Sequence, residues 1–209
     1  MVRRRMTRAE SQTQTRADLL EAAARVFKRH GYERASIAEI ADEAGYSHGA
    51  VYSNFDGKDD LFLALYEQWL ARRVAEIDAT WSQEGTLAER ARAVADDWMR
   101  RLSNDPAPFL LRLELTARAA HDRDLQEKLA TRVAAVPLAI RRLIESTATA
   151  DAAAAQLRPE ELALAFQAVS LGLALEALTS PVAVRPGLGG ELASFVAEAL
   201  QARSGSKTA

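Results

Sequence analysis

Seven residues in one short stretch, Ser47, His48, Gly49, Ala50, Tyr52, Ser53 and Asn54, combine hydroxyl, imidazole and amide groups with two of the smallest side chains. Short donors and acceptors of this kind suit phosphate oxygens and base edges. Gly49 and Ala50 let another surface come close, and the Ala50 methyl is the size that meets a thymine methyl. Elsewhere the chain offers little reactive chemistry. It has no cysteine, and its three histidines, His30, His48 and His121, are too scattered for a metal site. No nucleophile–base–orienter signature and no phosphate loop is present. The expectation is therefore no catalytic residue, no metal and no cofactor, with an enzyme on a helical body as a remote third reading.

The elements that must carry these groups lie in SIAEIADEAGYSHGAVYSNF, residues 36–55. Ser36 with Glu39 three residues on has the S-x-x-E form of a capping box that opens a helix, and Ile37, Ile40 and Ala41 give it a buried face. Ala41 is small enough for a close helix crossing. Gly45 tolerates a left-handed turn, and Val51 with Phe55 returns an apolar anchor to the core. That order is the pattern of a helix-turn-helix whose second helix presents the seven polar and small residues outward, in a form that fits a major groove. The alternative is a solvated amphipathic helix whose polarity has no partner.

Around it the chain reads as all-α, with about nine helices. They fall at 12–30, 36–44, 47–55, 58 to about 75, 86–103, 108–120, 124–146, 159–179 and 190–203. Pro137 interrupts its helix and frees the carbonyl of Val133, so a kink is expected there. The TATADAAAA stretch after Ser146 marks a break. Residues 1–35 hold nine Lys/Arg against four acids, whereas the chain as a whole has net charge −2, so a basic front precedes an acidic body. No secretory signal precedes the first helix. The apolar run 162–184 is interrupted by Gln167, Glu176 and Pro181, which favours a buried helix over a membrane span. The expected location is cytoplasmic, with no membrane partner.

Residues 15–67 resemble the DNA-binding domain of the TetR family of transcriptional repressors. The features that carry the resemblance are Ala-Ala…Phe…Gly-Tyr at the end of the first helix and Ser36-Ile37…Ile40-Ala41. Gly45-Tyr46-Ser47, Gly49-Ala50-Val51-Tyr52…Phe55 and Lys58-Asp59-Asp60-Leu61 complete them. The resemblance implies a basic, disordered arm over residues 1–12 and a three-helix helix-turn-helix domain over 13–58. A larger ligand-binding and dimerisation domain over 59–205 would follow, the helix from 58 joining the two. It implies Ser36, Ser47, Tyr52, Asn54 and Lys58 as phosphate contacts and His48, Gly49, Ala50 and Ser53 as base-edge contacts. His48 stands where lysine is frequent and Ser53-Asn54 where a larger pair such as His-His is common, so the operator sequence is not implied. The arm Arg3-Arg4-Arg5 is either a DNA contact or a solvated tail.

In the body, the helix at 159–179 carries two apolar stripes, Leu162, Phe166, Val169 and Leu173 on one and Leu164, Ala168, Leu171, Leu175 and Leu178 on the other. The resemblance implies that the first stripe, with Leu192, Phe195 and Val196 of the last helix, forms the interface of a homodimer that reads a roughly palindromic operator on double-stranded DNA, a fully internal core helix being the alternative. Trp98, Met99, Phe109, Leu113, Val136, Ile140, Gln167 and Glu176 are candidates to line a pocket for a small-molecule effector, each with plain core as its alternative. Glu176 has no basic residue three or four positions away, so a buried carboxylate for a cationic ligand is one reading, a hydrogen bond across the dimer a second and a solvent-facing side chain a third. Glu114, with Arg118 at i+4, reads as a surface ion pair. Two functional readings follow: a repressor released from DNA by a ligand, and a DNA-binding regulator without small-molecule control.

Overall fold

Capping chemistry sets where the helices begin. The computed structural model describes residues 7–82, 84–147, 158–180 and 182–205, and all its regular elements are helices. α1 (Arg8–Arg34) starts at Thr7, whose side chain accepts from the Glu10 N–H while Glu10 bonds back to the Thr7 N–H at 2.7 Å. Residues 8–12 therefore extend α1 by a turn and are not part of an arm; the Arg3-Arg5 segment lies outside the described residues. Gly31 adopts φ +73° inside α1, which separates the regular helix from a final turn. Only glycine takes that conformation at little cost.

α2 (Ile37–Ala44) is N-capped by Ser36, which accepts from the Glu39 N–H at 3.1 Å. The capping box is half formed: the Glu39 carboxylate turns to His30 Nε2 at 2.8 Å instead. Gly45 ends α2 in the left-handed region, φ +74°, and the Tyr46 N–H closes the turn on the Ala41 carbonyl. α3 (His48–Tyr52) follows with Ser47 as its cap and finishes in a turn that reaches Phe55.

α4 (Lys58–Trp81) runs well past residue 75, because Ile77 and Trp81 continue its buried face. α5 (Leu87–Asn104), α6 (Ala107–Ala119), α7 (Arg123–Val133), α8 (Ala135–Thr147), α9 (Pro159–Thr179) and α10 (Leu188–Gly205) complete the described order. The expected helix at 124–146 is two, broken at Ala134. Pro137 sits in the first turn of α8, where its missing N–H costs nothing, and the break falls where the Val133 carbonyl would have needed it. With α7 and α8 taken as one interrupted helix the described chain has nine. The TATADAAAA segment from Ala148 on lies outside the described residues.

The chain forms two compact units that do not divide at residue 58. Unit 1 is residues 1–69 with 107–130, and unit 2 is residues 70–106 with 131–209. In unit 1, Leu19, Phe27, Ile40, Val51, Leu61 and Phe62 are fully buried, and Leu111 and Leu115 of α6 are buried in the same unit. Phe27 stacks on Tyr32 and meets Phe62 edge-on at 5.2 Å. In unit 2, Trp81, Ala88, Ala91, Ala193 and Ala197 form a core against which Val94, Leu143 and Phe166 pack. A second device there is ionic. Asp97, 6% exposed, accepts from Arg73 at 3.0 Å, Arg100 at 2.5 Å and Arg101 at 2.7 Å, while Arg101 also pairs with Glu76 at 2.8 Å. Burial pushes the Asp97 carboxyl up, but the Arg101 hydrogen bond and the three guanidinium charges outweigh it and hold it below the ordinary aspartate value.

Candidate nucleic-acid interface

α3 is held from beneath by apolar contact and from its end by a cation. Val51 and Phe55 are buried, the Arg16 guanidinium lies 4.2 Å above the Phe55 ring, and its NH1 donates to the Asn54 carbonyl at 2.7 Å. The preceding turn is tied to α1 where the Tyr46 hydroxyl donates to Asp18 at 2.8 Å. Arg25 and Arg29 of α1 reach Glu43 of α2 at 2.8 and 2.6 Å and hold its carboxyl below the ordinary range.

What remains outward is the set singled out by its chemistry. Ser47, His48, Gly49, Tyr52 and Ser53 are exposed, Tyr52 at 61%, and Ala50 and Asn54 are half-buried. Gly49 has ordinary backbone angles, and a Cβ there would meet only Ser47 Oγ at 3.7 Å, so nothing inside the protein requires glycine. Ser36 and Ser47 accept backbone N–H groups through Oγ, which leaves each hydroxyl hydrogen to donate elsewhere. Ser53 Oγ and Asn54 Nδ2 both donate to the Ala50 carbonyl, at 2.9 and 2.8 Å. Those two side chains are thus folded back on their own helix, and reaching a nucleic acid would mean exchanging these bonds.

Lys58, expected as a phosphate anchor, is held on the backbone of its own chain in the absence of DNA. Its Nζ donates to the carbonyls of Tyr32, Glu33 and Ala35 at 3.0, 3.2 and 3.2 Å and lies 4.4 Å from the centre of the Tyr32 ring. All three ammonium donors are engaged on the turn that ends α1, and burial pulls the amine below the ordinary lysine value. Glu114 corrects the expectation of a surface ion pair. Instead of pairing with Arg118, it accepts the Tyr32 N–H at 2.6 Å, and burial pushes its carboxyl up. A Cβ on Gly31 would lie 3.0 Å from Glu114 Oε1, so the left-handed glycine also makes room for that carboxylate. Arg118 pairs with Asp59 at 3.4 Å and Glu33 at 3.6 Å, and Asp59 also accepts from the Tyr32 hydroxyl. These contacts span up to 82 residues of sequence and had no local signal.

The expected pocket residues are divided between the two units. Phe109, buried, and Leu113, 37% exposed, belong to unit 1, while Trp98, Met99, Val136, Ile140, Gln167 and Glu176 belong to unit 2. Trp98 Nε1 donates to the Ser170 carbonyl at 3.3 Å. Glu176 is exposed in the single chain. On α9 the first stripe is divided: Leu162 is buried within its own chain, Phe166 packs on the Trp81 core and Leu173 is half-buried, while Val169 is exposed. The stripe left to solvent includes Leu164 at 62% and Leu175 at 45%, beside Val169 at 46%. On α10 Phe195 is 68% exposed, Leu192 is at 36% and Val196 is half-buried. Residues 160–179 are also long and apolar enough to cross a bilayer, with only 17% of the most apolar window buried. Among the described residues no group of histidine, aspartate and glutamate is placed to hold a metal ion.

Residues 19–65 match the family model described as bacterial regulatory proteins, tetR family. The HTH-type transcriptional repressor AcnR of Corynebacterium glutamicum is 35% identical over 106 residues, 45% of this chain and 54% of AcnR. The chain thus spans about half the length of that relative. The HTH-type transcriptional repressor Rv1474c of Mycobacterium tuberculosis is 31% identical over 132 residues, 56% of this chain and 68% of that protein. Among solved structures, the multidrug-binding protein EbrR complexed with proflavin aligns over 89% of this chain and 99% of its own, with TM-score 0.60 and 25% identity. With its helix-turn-helix in the matched segment and an all-helical body beyond it, this chain belongs to the TetR family of bacterial regulatory proteins.

Proposed function

We propose that the protein is a sequence-specific DNA-binding repressor that acts as a homodimer in the cytoplasm and leaves its operator when a small molecule binds. The observation that carries the reading is the outer face of α3. It is a row of exposed short polar and small residues mounted on buried Val51 and Phe55, in the segment that matches the family model. In this reading α3 enters the major groove, Ser36 and Ser47 donate their free hydroxyl hydrogens to phosphates, and His48, Gly49, Ala50 and Ser53 face base edges. Tyr52 and Asn54 lie toward the backbone. Lys58 supports the turn behind this face and does not touch DNA.

The exposed apolar residues Leu164, Val169, Leu175 and Phe195 of α9 and α10 support a dimer, since apolar faces of this kind are covered in stable assemblies. A twofold dimer presents two copies of α3 to a roughly palindromic site. Ligand control is supported by the likeness to EbrR, a multidrug-binding protein seen with proflavin. The effector acts only through its differential affinity for the DNA-competent and incompetent conformers. The relatives named above are repressors, which supports a regulator over an enzyme.

The test is binding of the full chain to the DNA upstream of its own gene, with salt varied and an unrelated duplex as competitor. Tight binding that resists the competitor, with log affinity falling by about 0.9 per log unit of salt for each neutralised phosphate, is the expected outcome. Equal, weak binding to both duplexes sends the search for the operator to genome-wide selection, and failure there as well overturns the reading.

A further inference from the structure

The segment proposed to read DNA carries no lysine or arginine of its own. Residues 36–57, from the cap of α2 to the turn before α4, hold four carboxylates instead, Glu39, Asp42, Glu43 and Asp56. A DNA duplex is a dense line of negative charge, and neutralising its phosphates supplies the affinity that is independent of sequence. The cations must therefore come from neighbouring elements of unit 1, and several of those are engaged inside the chain. Arg25 and Arg29 are held on Glu43, Lys58 on three carbonyls and Arg118 on Asp59 and Glu33. Arg16 of α1 is different. It is exposed and, among the described residues, pairs with no carboxylate. Its two contacts, the Asn54 carbonyl and the face of Phe55, are neutral, so its charge stays whole.

We infer that Arg16 is a DNA-phosphate contact, the cation that binds the sugar–phosphate backbone at the C-terminal end of α3. This role rests on the reading of α3 as the DNA-facing helix, in which Tyr52 and Asn54 lie toward that backbone. Asn54 is the residue whose carbonyl Arg16 grips at 2.7 Å, so the guanidinium already stands at that place. Its position 4.2 Å above the buried Phe55 ring fixes it further, and only Nη1 is spent. Nε and Nη2 are left to meet phosphate oxygens in the forked geometry that arginine offers. A side chain fixed beforehand loses little rotamer freedom on binding.

The full wild-type chain, Arg16→Gln and Arg16→Lys are each titrated with the operator and with an unrelated duplex over a range of salt, with helix content checked by circular dichroism. A phosphate contact carries charge and no sequence information. Arg16→Gln is therefore expected to lower the salt slope on the operator by about 0.9 for each bound protomer. It is expected to weaken both duplexes by the same factor, about tenfold at low salt. Arg16→Lys keeps the charge without the fork, so the slope should hold while both duplexes weaken a few-fold. An unchanged slope in Arg16→Gln overturns the inference, as does a loss confined to the operator, which would make Arg16 a support for α3 alone. Should Arg16→Gln not fold, Arg16→Lys decides by the same comparison: equal loss on both duplexes sustains the contact, and loss on the operator alone overturns it. A wild-type chain for which no operator is found removes the DNA reading itself. Wild-type binding with an unaltered slope in Arg16→Gln removes only Arg16 from the interface.

Discussion

Gly49 and Lys58 show how differently two residues of one motif are used. A Cβ at Gly49 meets no crowding, and a helical glycine costs stability relative to alanine. Gly49→Ala is therefore expected to leave thermal unfolding unchanged or raise it slightly, by up to about 1 kcal/mol. DNA affinity is expected to fall at least about tenfold, since the added methyl stands between α3 and the base edges. Unfolding and operator binding measured on the same preparation check this, and undiminished affinity would take Gly49 out of the interface. Lys58 behaves in the opposite way. Its ammonium holds three carbonyls at the end of α1, so Lys58→Met should cost about 1.5–3 kcal/mol of stability, read by denaturant unfolding. The salt slope of operator binding should stay as in the wild type, because a residue that neutralises no phosphate adds nothing to it.

At the scale of elements, helix starts and stops were legible wherever a cap or a breaker is local. Ser36, Gly45 and Ser47 each act within four residues of themselves, and the boundaries they imply stand within a residue or two, whereas Pro137, expected to kink one helix, opens the second of two. What the sequence hid is tertiary. Nothing near Glu114 says that its partner is the Tyr32 N–H, and nothing near Lys58 says that it caps α1. The two stripes of α9 are equally apolar, so pattern alone did not decide which faces the Trp81 core. The Asp97 network joins α4 to α5 and predicts a pH response. Its carboxyl is depressed in the folded state, so its stabilisation is present above the ordinary aspartate pKa and lost as pH falls through the lower, folded value. Asp97→Asn leaves Arg73 buried with its main counter-charge gone, at an expected cost of about 3 kcal/mol or more at neutral pH. In that variant the fall of stability with acid should be shallower than in the wild type. Unfolding midpoints from neutral pH down to about pH 3 measure both effects; parallel pH curves would show that Asp97 is not the group responsible.

At the scale of the molecule, the exposed apolar residues of α9 and α10 call for a partner. Leu164→Glu combined with Phe195→Glu is expected to give a monomer in sedimentation at micromolar concentration, with helix content preserved, because both side chains are solvent-facing in the single chain. Affinity for a two-half-site operator should then fall by at least about a hundredfold, since the two contacts no longer reinforce one another. A dimer that survives both charges would move the interface elsewhere. The composition of unit 1 has a consequence of its own. The unit that carries α3 is built from residues 1–69 and 107–130, so the chain leaves it and returns before it is complete. During synthesis at about 5–20 residues per second, Arg118 of α6, 59 residues beyond Asp59, is added roughly 3–12 s after it. Until then Tyr32 lacks its Glu114 acceptor and Glu33 and Asp59 lack Arg118. The ribosome thus delivers the DNA-reading surface before its own support, and a nascent chain stalled near residue 100 should be cut by protease within α1–α3 where the finished protein resists.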